Sequence, residues 1–134
     1  MRPIIFETLS LGQKYSIINF HTVVGLSDGK INKQEEEILE NLLYLCNVNI
    51  NDSIEYFEKN GKNEQLIDDL ISLQMNMKEI VIISIWDLII CDGKPNEKEL
   101  SITFTILDRL YINEEKFYKI LEKKEIYTDI LFGY

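Results

Sequence analysis

A phrase of eight residues that begins with Asp-Gly and ends with Glu occurs twice in this chain. The first copy runs from Asp28 to Glu35, and the second begins 64 positions later and runs from Asp92 to Glu99. Asp, Gly, Lys, Asn and Glu stand at the same offsets in both copies. Carboxylate and amide oxygens are hard ligands of the kind that hold calcium or magnesium. The repeated phrase is therefore a candidate site for a divalent cation.

The same phrase also has a structural interpretation. Gly29 can take the left-handed backbone that ends a helix, Asn32 is a good N-cap, and Glu35 then stands where its carboxylate can bond the amide of the cap. The second copy repeats all three residue types. This interpretation does not account for Asp28 and Asp92, because a negative charge at a helix C-terminus opposes the macrodipole, at a cost of about 0.3 to 1 kcal/mol.

A cation held between the two copies would offset both the carboxylate repulsion and the dipole cost. The candidate metal ligands are the aspartates, glutamates and asparagines of the two phrases: Asp28, Glu35, Asp92, Glu99, Asn32 and Asn96. The phrase is not an EF-hand, since that loop has twelve residues with Gly at the sixth position and Glu at the twelfth. The cation site and the purely structural turn both remain open at this stage.

Seven segments with helical periodicity surround the two phrases. Each half offers a buried helix, an Asp-Gly turn, an amphipathic helix and a shorter capped helix. The segment 80–91 is apolar nearly all round, as an enclosed helix is, although its Ile and Val content leaves a buried β-strand as the alternative. The predicted helices are 15–26, 35–46, 52–59, 64–73, 80–91, 100–111 and 114–123, with 126–131 as a candidate for a last short helix.

The sequence therefore predicts an all-α protein: a single-domain helical bundle of about seven helices, spanning 1–134, with an internal pseudo-twofold duplication. The repeat halves are about 13–60 and 77–123. A length of 134 residues and a hydrophobic content of 46% are enough to bury one ordinary core. Asn60 and Gly61 are predicted to end the third helix of the first half.

The composition of the chain narrows the classes of molecule that we expect it to bind. The net charge is −9 and no cluster of Lys and Arg is present, which disfavours direct binding to a phosphate backbone. Cations or basic protein surfaces suit the charge better. The first residues lack the long apolar core of a signal peptide, and the longest apolar run is shorter than the ~18 residues that span a bilayer. We expect a soluble, cytoplasmic protein without membrane insertion.

Two further polar residues have several interpretations. His21 is the single histidine, and helical spacing places it about two turns before Asp28. A buried and hydrogen-bonded histidine is favoured over a catalytic one, because no Ser or Cys partner is visible in the sequence. Asp87 lies on the predicted central helix, where it faces a rim, bonds a buried donor or belongs to the acidic site.

The paired Asp-Gly-x-x-x-x-x-Glu phrases in a duplicated helical chain of this length resemble the TerB-like family, which is named for tellurite resistance and is related to the N-terminal domain of a membrane-anchored DnaJ-type co-chaperone. The resemblance covers about 13–122. It implies a helical bundle with internal pseudo-symmetry, an acidic patch proposed to bind a divalent cation or a partner, and no well-defined enzymatic activity. The matching residues are Asp28, Gly29, Glu35, Asp92, Gly93 and Glu99.

Three functions from different classes follow. The leading one is a non-catalytic acidic adaptor that binds a protein partner, with calcium or magnesium as the candidate cation, in a stress-response or membrane-associated complex. The second is a structural or oligomerising bundle without a metal. A metal-assisted hydrolase that uses the carboxylates and water is the remote third. The sequence leaves the oligomeric state open.

Overall fold

The computed structural model describes residues 4–59, 63–91, 93 and 95–132, and these residues form nine helices and no strand. The helices are α1 (Ile4–Glu7), α2 (Leu11–Leu26), α3 (Lys33–Cys46), α4 (Ile50–Lys59), α5 (Asn63–Ile71), α6 (Met75–Ile90), α7 (Glu97–Arg109), α8 (Glu114–Leu121) and α9 (Lys124–Phe132). The predicted all-α class is confirmed, and the segment considered as a strand is helical. Across the described ranges, none of the helices combines the length and the apolar character needed to cross a membrane.

The predicted count of about seven helices is wrong for the described residues, which form nine. The additional helices are α1, which is too short to show a periodic pattern, and α9, which the sequence indicated only as a candidate. The predicted stop at Asn60 and Gly61 lies outside the described residues.

Helix α2 begins at Leu11, earlier than the apolar pattern indicates, because Ser10 caps it. The Ser10 side chain accepts a hydrogen bond from the Gln13 amide at 3.1 Å, and the Gln13 side chain accepts one from the Ser10 amide at 2.9 Å. This reciprocal pair is a capping box, which satisfies two amides that the first turn of a helix leaves unpaired. The Ser-x-x-Gln spacing was the sequence signal for this start.

Helices α2 and α6, of 16 residues each, form the centre of the fold. α2 packs against α3, α4, α5, α6 and α7, and α6 packs against α2, α3, α7, α8 and α9. Most of α6 is buried, including Ile80, Ile83, Ile85 and Leu88. Burial of one such side chain contributes roughly 1.5 to 3 kcal/mol. The two central helices are therefore enclosed by the shorter ones.

Polar contacts attach α4 and α5 to the central helix α2. Asp69 on α5 accepts hydrogen bonds from the Ser16 hydroxyl at 2.6 Å and from the Tyr56 hydroxyl at 2.8 Å. Asn19 on α2 donates to the backbone oxygen of Ser53 on α4 at 3.0 Å. Ser16, Asn19 and Ser53 are buried, so these bonds offset the cost of removing their polar groups from water.

Aromatic contacts attach α7 and α8 to the other central helix. Phe117 on α8 is fully buried, and its ring meets Trp86 on α6 at a centroid distance of 6.0 Å and Phe104 on α7 at 5.1 Å. Both pairs have the edge-to-face geometry that aromatic quadrupoles favour. Phe117 stands 64 positions after the small Ser53, which makes hydrogen bonds where Phe117 makes aromatic contacts.

The last helix is attached to α6 by charged and hydroxyl groups. Lys123, just before α9, pairs with Glu79 at 2.6 Å, and the Tyr127 hydroxyl donates to the same carboxylate at 2.7 Å. Burial of Glu79 disfavours its charge, but these two donors outweigh that effect and lower its pKa. Lys124 pairs with Asp87 at 2.5 Å. Asp87 is thus bonded to a donor, as one of the alternatives supposed, but that donor, Lys124, is 41% exposed rather than buried.

His21 lies in the interface between α2 and α6 and is fully buried. Its Nδ1 is 2.8 Å from the backbone oxygen of Ile17, and its Nε2 is 2.7 Å from the Ser84 hydroxyl. A carbonyl oxygen can only accept, so Nδ1 carries the proton and Nε2 accepts from Ser84. Burial lowers the pKa of His21 to about 4, and the bond to Ile17 opposes that change. The interpretation as a buried, hydrogen-bonded histidine is confirmed.

We expect the free energy of unfolding to decrease by about 2 kcal/mol between pH 7 and pH 5 because of His21. The pKa of His21 is lower in the folded chain than in the unfolded chain. Its neutral form therefore stabilises the fold fully above pH 6.5, and this contribution is lost as the pH falls toward 4. Urea unfolding at a series of pH values measures the change.

His21→Gln is the control for this pH dependence, because the chain has a single histidine. The variant should show a nearly flat free energy of unfolding between pH 7 and pH 5, whatever its absolute stability. Equal slopes for the two proteins in this range would contradict the assignment.

Candidate cation and partner site at the Asp-Gly turns

Two turns carry the repeated phrase, one between α2 and α3 and one between α6 and α7. Gly29 and Gly93 have φ angles of 110° and 107°, values that strain a residue with a side chain. The Gly29 amide donates to the Leu26 oxygen at 2.9 Å, and the Gly93 amide donates to the Ile90 oxygen at 2.8 Å. The prediction that these glycines end their helices with a left-handed backbone is confirmed.

The asparagines of both phrases cap the helices that follow. Asn32 accepts a hydrogen bond from the Glu35 amide at 2.8 Å, and the Glu35 carboxylate accepts one from the Asn32 amide at 2.9 Å. In the second copy Asn96 accepts from the Glu99 amide at 3.0 Å. Glu35 and Glu99 are 2% and 3% exposed. The structural interpretation therefore holds for Asn32, Glu35 and Asn96, whose side chains satisfy backbone groups.

The two turns meet in space. The Asn96 side-chain amide donates a hydrogen bond to the Asp28 carboxylate across 68 positions of sequence, at 3.3 Å. Helix packing agrees with this contact, because α2 lies against α7 and α3 lies against α6. The structure brings Asp28 and Asn96 together at one end of the two central helices.

Asp28 is the exposed acid of this contact. Its carboxylate lies just after the C-terminus of α2, where the helix dipole adds negative potential. The Asn96 donor offsets part of that charge but leaves the carboxylate accessible to solvent. An exposed carboxylate at such a position can accept a hard cation or the ammonium or guanidinium group of a partner protein.

Asp92 lies outside the described residues, so the set of six predicted ligands remains a prediction. Among the residues that the structure does describe, no group of three or more His, Cys, Asp or Glu side chains has an arrangement that could hold a metal ion. That result does not test a site in which Asp92 takes part. Of the other five residues, the structure places Glu35 and Glu99 in the interior and Asp28 at the surface.

Sequence reasoning missed the role of the Asn96 nitrogen. The sequence predicted Asn96 as a cap and as an oxygen ligand, whereas its amide nitrogen also bonds Asp28. No local signal distinguishes Asn96 from Asn32 in this respect. The bond depends on the approach of two turns that are distant in sequence, which only the packing of α2 against α7 provides.

Comparison of the chain with known protein families, with curated proteins and with solved structures gives no match. The resemblance to the TerB-like family stays a prediction from the two phrases. The functional argument therefore depends on the geometry of the turns and on the chemistry of the residues that form them.

Removal of a cap asparagine should destabilise the protein. Asn32→Ala and Asn96→Ala are each expected to lower the free energy of unfolding by about 1 kcal/mol, because an amide of the following helix loses its acceptor. Chemical unfolding of the two variants measures the loss. Asn113→Ala is the matched control, since Asn113 caps α8 with the same kind of bond to the Lys116 amide, at 2.8 Å.

Asn113→Ala should lower the free energy of unfolding by a similar amount. It should leave the hydrogen bond between Asn96 and Asp28 in place. The capping role of the two phrases would be contradicted if Asn32→Ala and Asn96→Ala left the free energy of unfolding unchanged while Asn113→Ala lowered it.

Proposed function

We propose that this chain is a non-catalytic helical adaptor whose paired Asp-Gly turns form one acidic surface for a partner protein. The observation that carries the proposal is the 3.3 Å hydrogen bond from Asn96 to Asp28, which joins the two turns. A net charge of −9 favours a partner that presents a basic surface. The adaptor acts in the cytoplasm, in a stress-response or membrane-associated complex of the kind that the TerB-like resemblance implies.

We infer that the chain is one domain, 1–134, built by an internal duplication. The support is a series of corresponding backbone features 64 positions apart. Gly29 and Gly93 share a positive φ, and Asn47 and Tyr111 share a left-handed backbone with φ of 56° and 61°. Asparagines cap the helix that follows each of these four residues, at Asn32, Asn96, Asn49 and Asn113. Such agreement at two kinds of turn fits a repeated unit, and it also supports the TerB-like resemblance.

The burial and hydrogen bonding of the single histidine, His21, support a non-catalytic role in this proposal. His21 is buried between α2 and α6, and both of its ring nitrogens are hydrogen-bonded. Its pKa of about 4 leaves it neutral near pH 7. Its complete burial denies it access to a substrate. It is therefore unsuited to act as a general base at the exposed Asp28.

A divalent cation, calcium or magnesium, is the proposed small ligand of the same surface. Asp28 would supply an exposed carboxylate, and Asp92 is its counterpart in the second phrase. The asparagine oxygens of the phrases already accept amide hydrogen bonds, which makes Asn32 and Asn96 the weaker candidate ligands. A cation between the two aspartates would reduce their repulsion and the unfavourable interaction with two helix C-termini.

We expect calcium or magnesium to raise the melting temperature of chelator-treated protein. An ion present at ten times its dissociation constant stabilises the folded state by about 1.4 kcal/mol, or roughly 3 to 6 °C. Differential scanning calorimetry at constant ionic strength measures the shift. The paired change Asp28→Asn and Asp92→Asn should abolish it, because it removes the two proposed carboxylate ligands.

Asp108→Asn is the matched control, since Asp108 is an exposed aspartate on α7 away from the phrases. This variant should keep the response to the ion. Absence of a response in the unchanged protein at millimolar ion would remove the cation from the proposal. The adaptor function is tested by affinity capture, in which a partner held by the unchanged protein and by the Asp108 variant is lost from the paired variant.

A structural or oligomerising bundle is the second candidate function. The observation that favours it is the burial of Glu35 in a complete capping box, which assigns this carboxylate to backbone support. Under this alternative, Asp28 is not required for the binding of ions or of a partner protein. Sedimentation would then show a defined oligomer.

A further inference from the structure

An open groove lies at the end of the fold where α2 begins, α3 ends and α4 begins. Its volume is about 450 Å³. Leu11 and Tyr44 on its walls are 56% and 51% exposed, which is high for apolar and aromatic side chains. The lining residues are Leu11, Tyr15, Leu43, Tyr44, Asn47, Val48, Asn49 and Asp52. The Asp-Gly turns lie at the other end of α2, about 24 Å away along a helix of 16 residues.

The loop between α3 and α4 fixes the polar edge of this groove. Asn47 ends α3 in a left-handed backbone, with φ of 56°. Asn49 accepts a hydrogen bond from the Asp52 amide at 2.8 Å, and its side-chain nitrogen donates to the Asp52 carboxylate at 2.9 Å. The carboxylate is therefore held at the start of α4 while it remains exposed to solvent.

The charge inside the groove is negative. Asp52 carries the one formal charge among the described lining residues. Burial raises the pKa of Tyr15, and the charges of Asp52 and Glu55 raise it further, so both carboxylates act on the Tyr15 hydroxyl. Lys14 neighbours Cys46, on which its charge acts, but it does not line the groove.

A groove of similar size lies at the corresponding position near the start of α8, with a volume of about 490 Å³. Asp108, which lines this groove, stands 64 positions after Tyr44. Lys116 stands 64 positions after Asp52 but does not line the groove, whose other charged residue in the described ranges is Glu114. The turn geometry is the same, because Tyr111 has a left-handed backbone and Asn113 caps the following helix. The two grooves thus share a turn geometry, but among the described residues only the first is lined by two tyrosines, Tyr15 and Tyr44, beside a carboxylate. The Tyr15 ring also packs against Tyr56, at a centroid distance of 5.2 Å.

We propose that the groove between α2, α3 and α4 binds a partner protein through a segment that carries a Lys or Arg side chain between apolar residues. Tyrosine faces attract a cation through their quadrupole, and the Asp52 carboxylate pairs with its charge. The aliphatic stem and the neighbouring apolar residues pack on Leu11 and Val48. The net charge of −9 favours approach of such a basic segment. This surface goes beyond the adaptor surface at the Asp-Gly turns and does not depend on it.

The proposal is tested by NMR titration of ¹⁵N-labelled protein with the acetylated, amidated peptide Leu-Lys-Leu-Arg-Leu at low salt. We expect saturable shifts of the amide signals of residues 11–15 and 43–52. The same peptide with Gln in place of Lys and Arg should bind at least fivefold more weakly, because it keeps the apolar groups and lacks the charge. Tetramethylammonium is a second probe, which isolates the contribution of the tyrosine faces.

Two variants locate the binding. Tyr44→Ala and Asp52→Asn should each raise the dissociation constant of the peptide at least threefold. Asp108→Asn, the matched change in the second groove, should leave it unaltered. Circular dichroism checks that each variant is folded.

Four outcomes would overturn the proposal: no saturable shifts at millimolar peptide, equal affinity for the Gln peptide, shifts centred on residues 27–35, or shifts near the groove that depend on protein concentration alone. The third would assign the peptide to the Asp-Gly turns, and the last would assign the groove to a second copy of the chain. The calorimetric response to ions is measured separately, so either proposal can fail without the other.

Discussion

The burial of the two central helices, α2 and α6, against each other is the constraint on which the rest of the fold depends. α2 and α6 bury residues on all of their faces, so neither can form a stable surface helix. The shorter helices enclose them, and this packing fixes the relative positions of the turns that follow each one. The buried bond between His21 and Ser84 joins the two helices and satisfies polar groups that the apolar interface would otherwise leave unpaired.

The Asp-Gly turns combine two different physical demands. Gly29, Asn32 and Glu35 meet the requirements of the backbone, since they supply a positive φ, a cap and its reciprocal bond. Asp28 meets none of these requirements, and its charge is unfavourable at the end of α2. The hydrogen bond from Asn96 offsets only part of that cost. This exposed acid is the reason to propose a binding role for this end of the protein.

The two halves share their turns but differ in how their helices are attached. Ser16, Asn19 and Ser53 make polar contacts around α2, whereas Trp86 and Phe117 make aromatic contacts around α6. The grooves at the start of α4 and α8 also carry different side chains, with Tyr15, Tyr44 and Asp52 in the first and Phe104, Asp108 and Glu114 in the second. Turn geometry is thus similar in the two stretches of chain, while the side chains on the surface differ. The proposed recognition of a partner depends on those side chains.

The sequence by itself determined the helical class, the positions of the turns and the caps Asn32, Asn96 and Asn113. These features follow from local rules, namely periodicity, the freedom of glycine and the preference of asparagine for a helix N-terminus. It did not determine the four-residue α1, which has no periodicity, or the pairing of Lys124 with Asp87. The tertiary structure alone decided that Glu35 is buried, that Asp28 is exposed and that Asn96 reaches Asp28. Such contacts arise because helices distant in sequence pack side by side, and no local pattern encodes that approach.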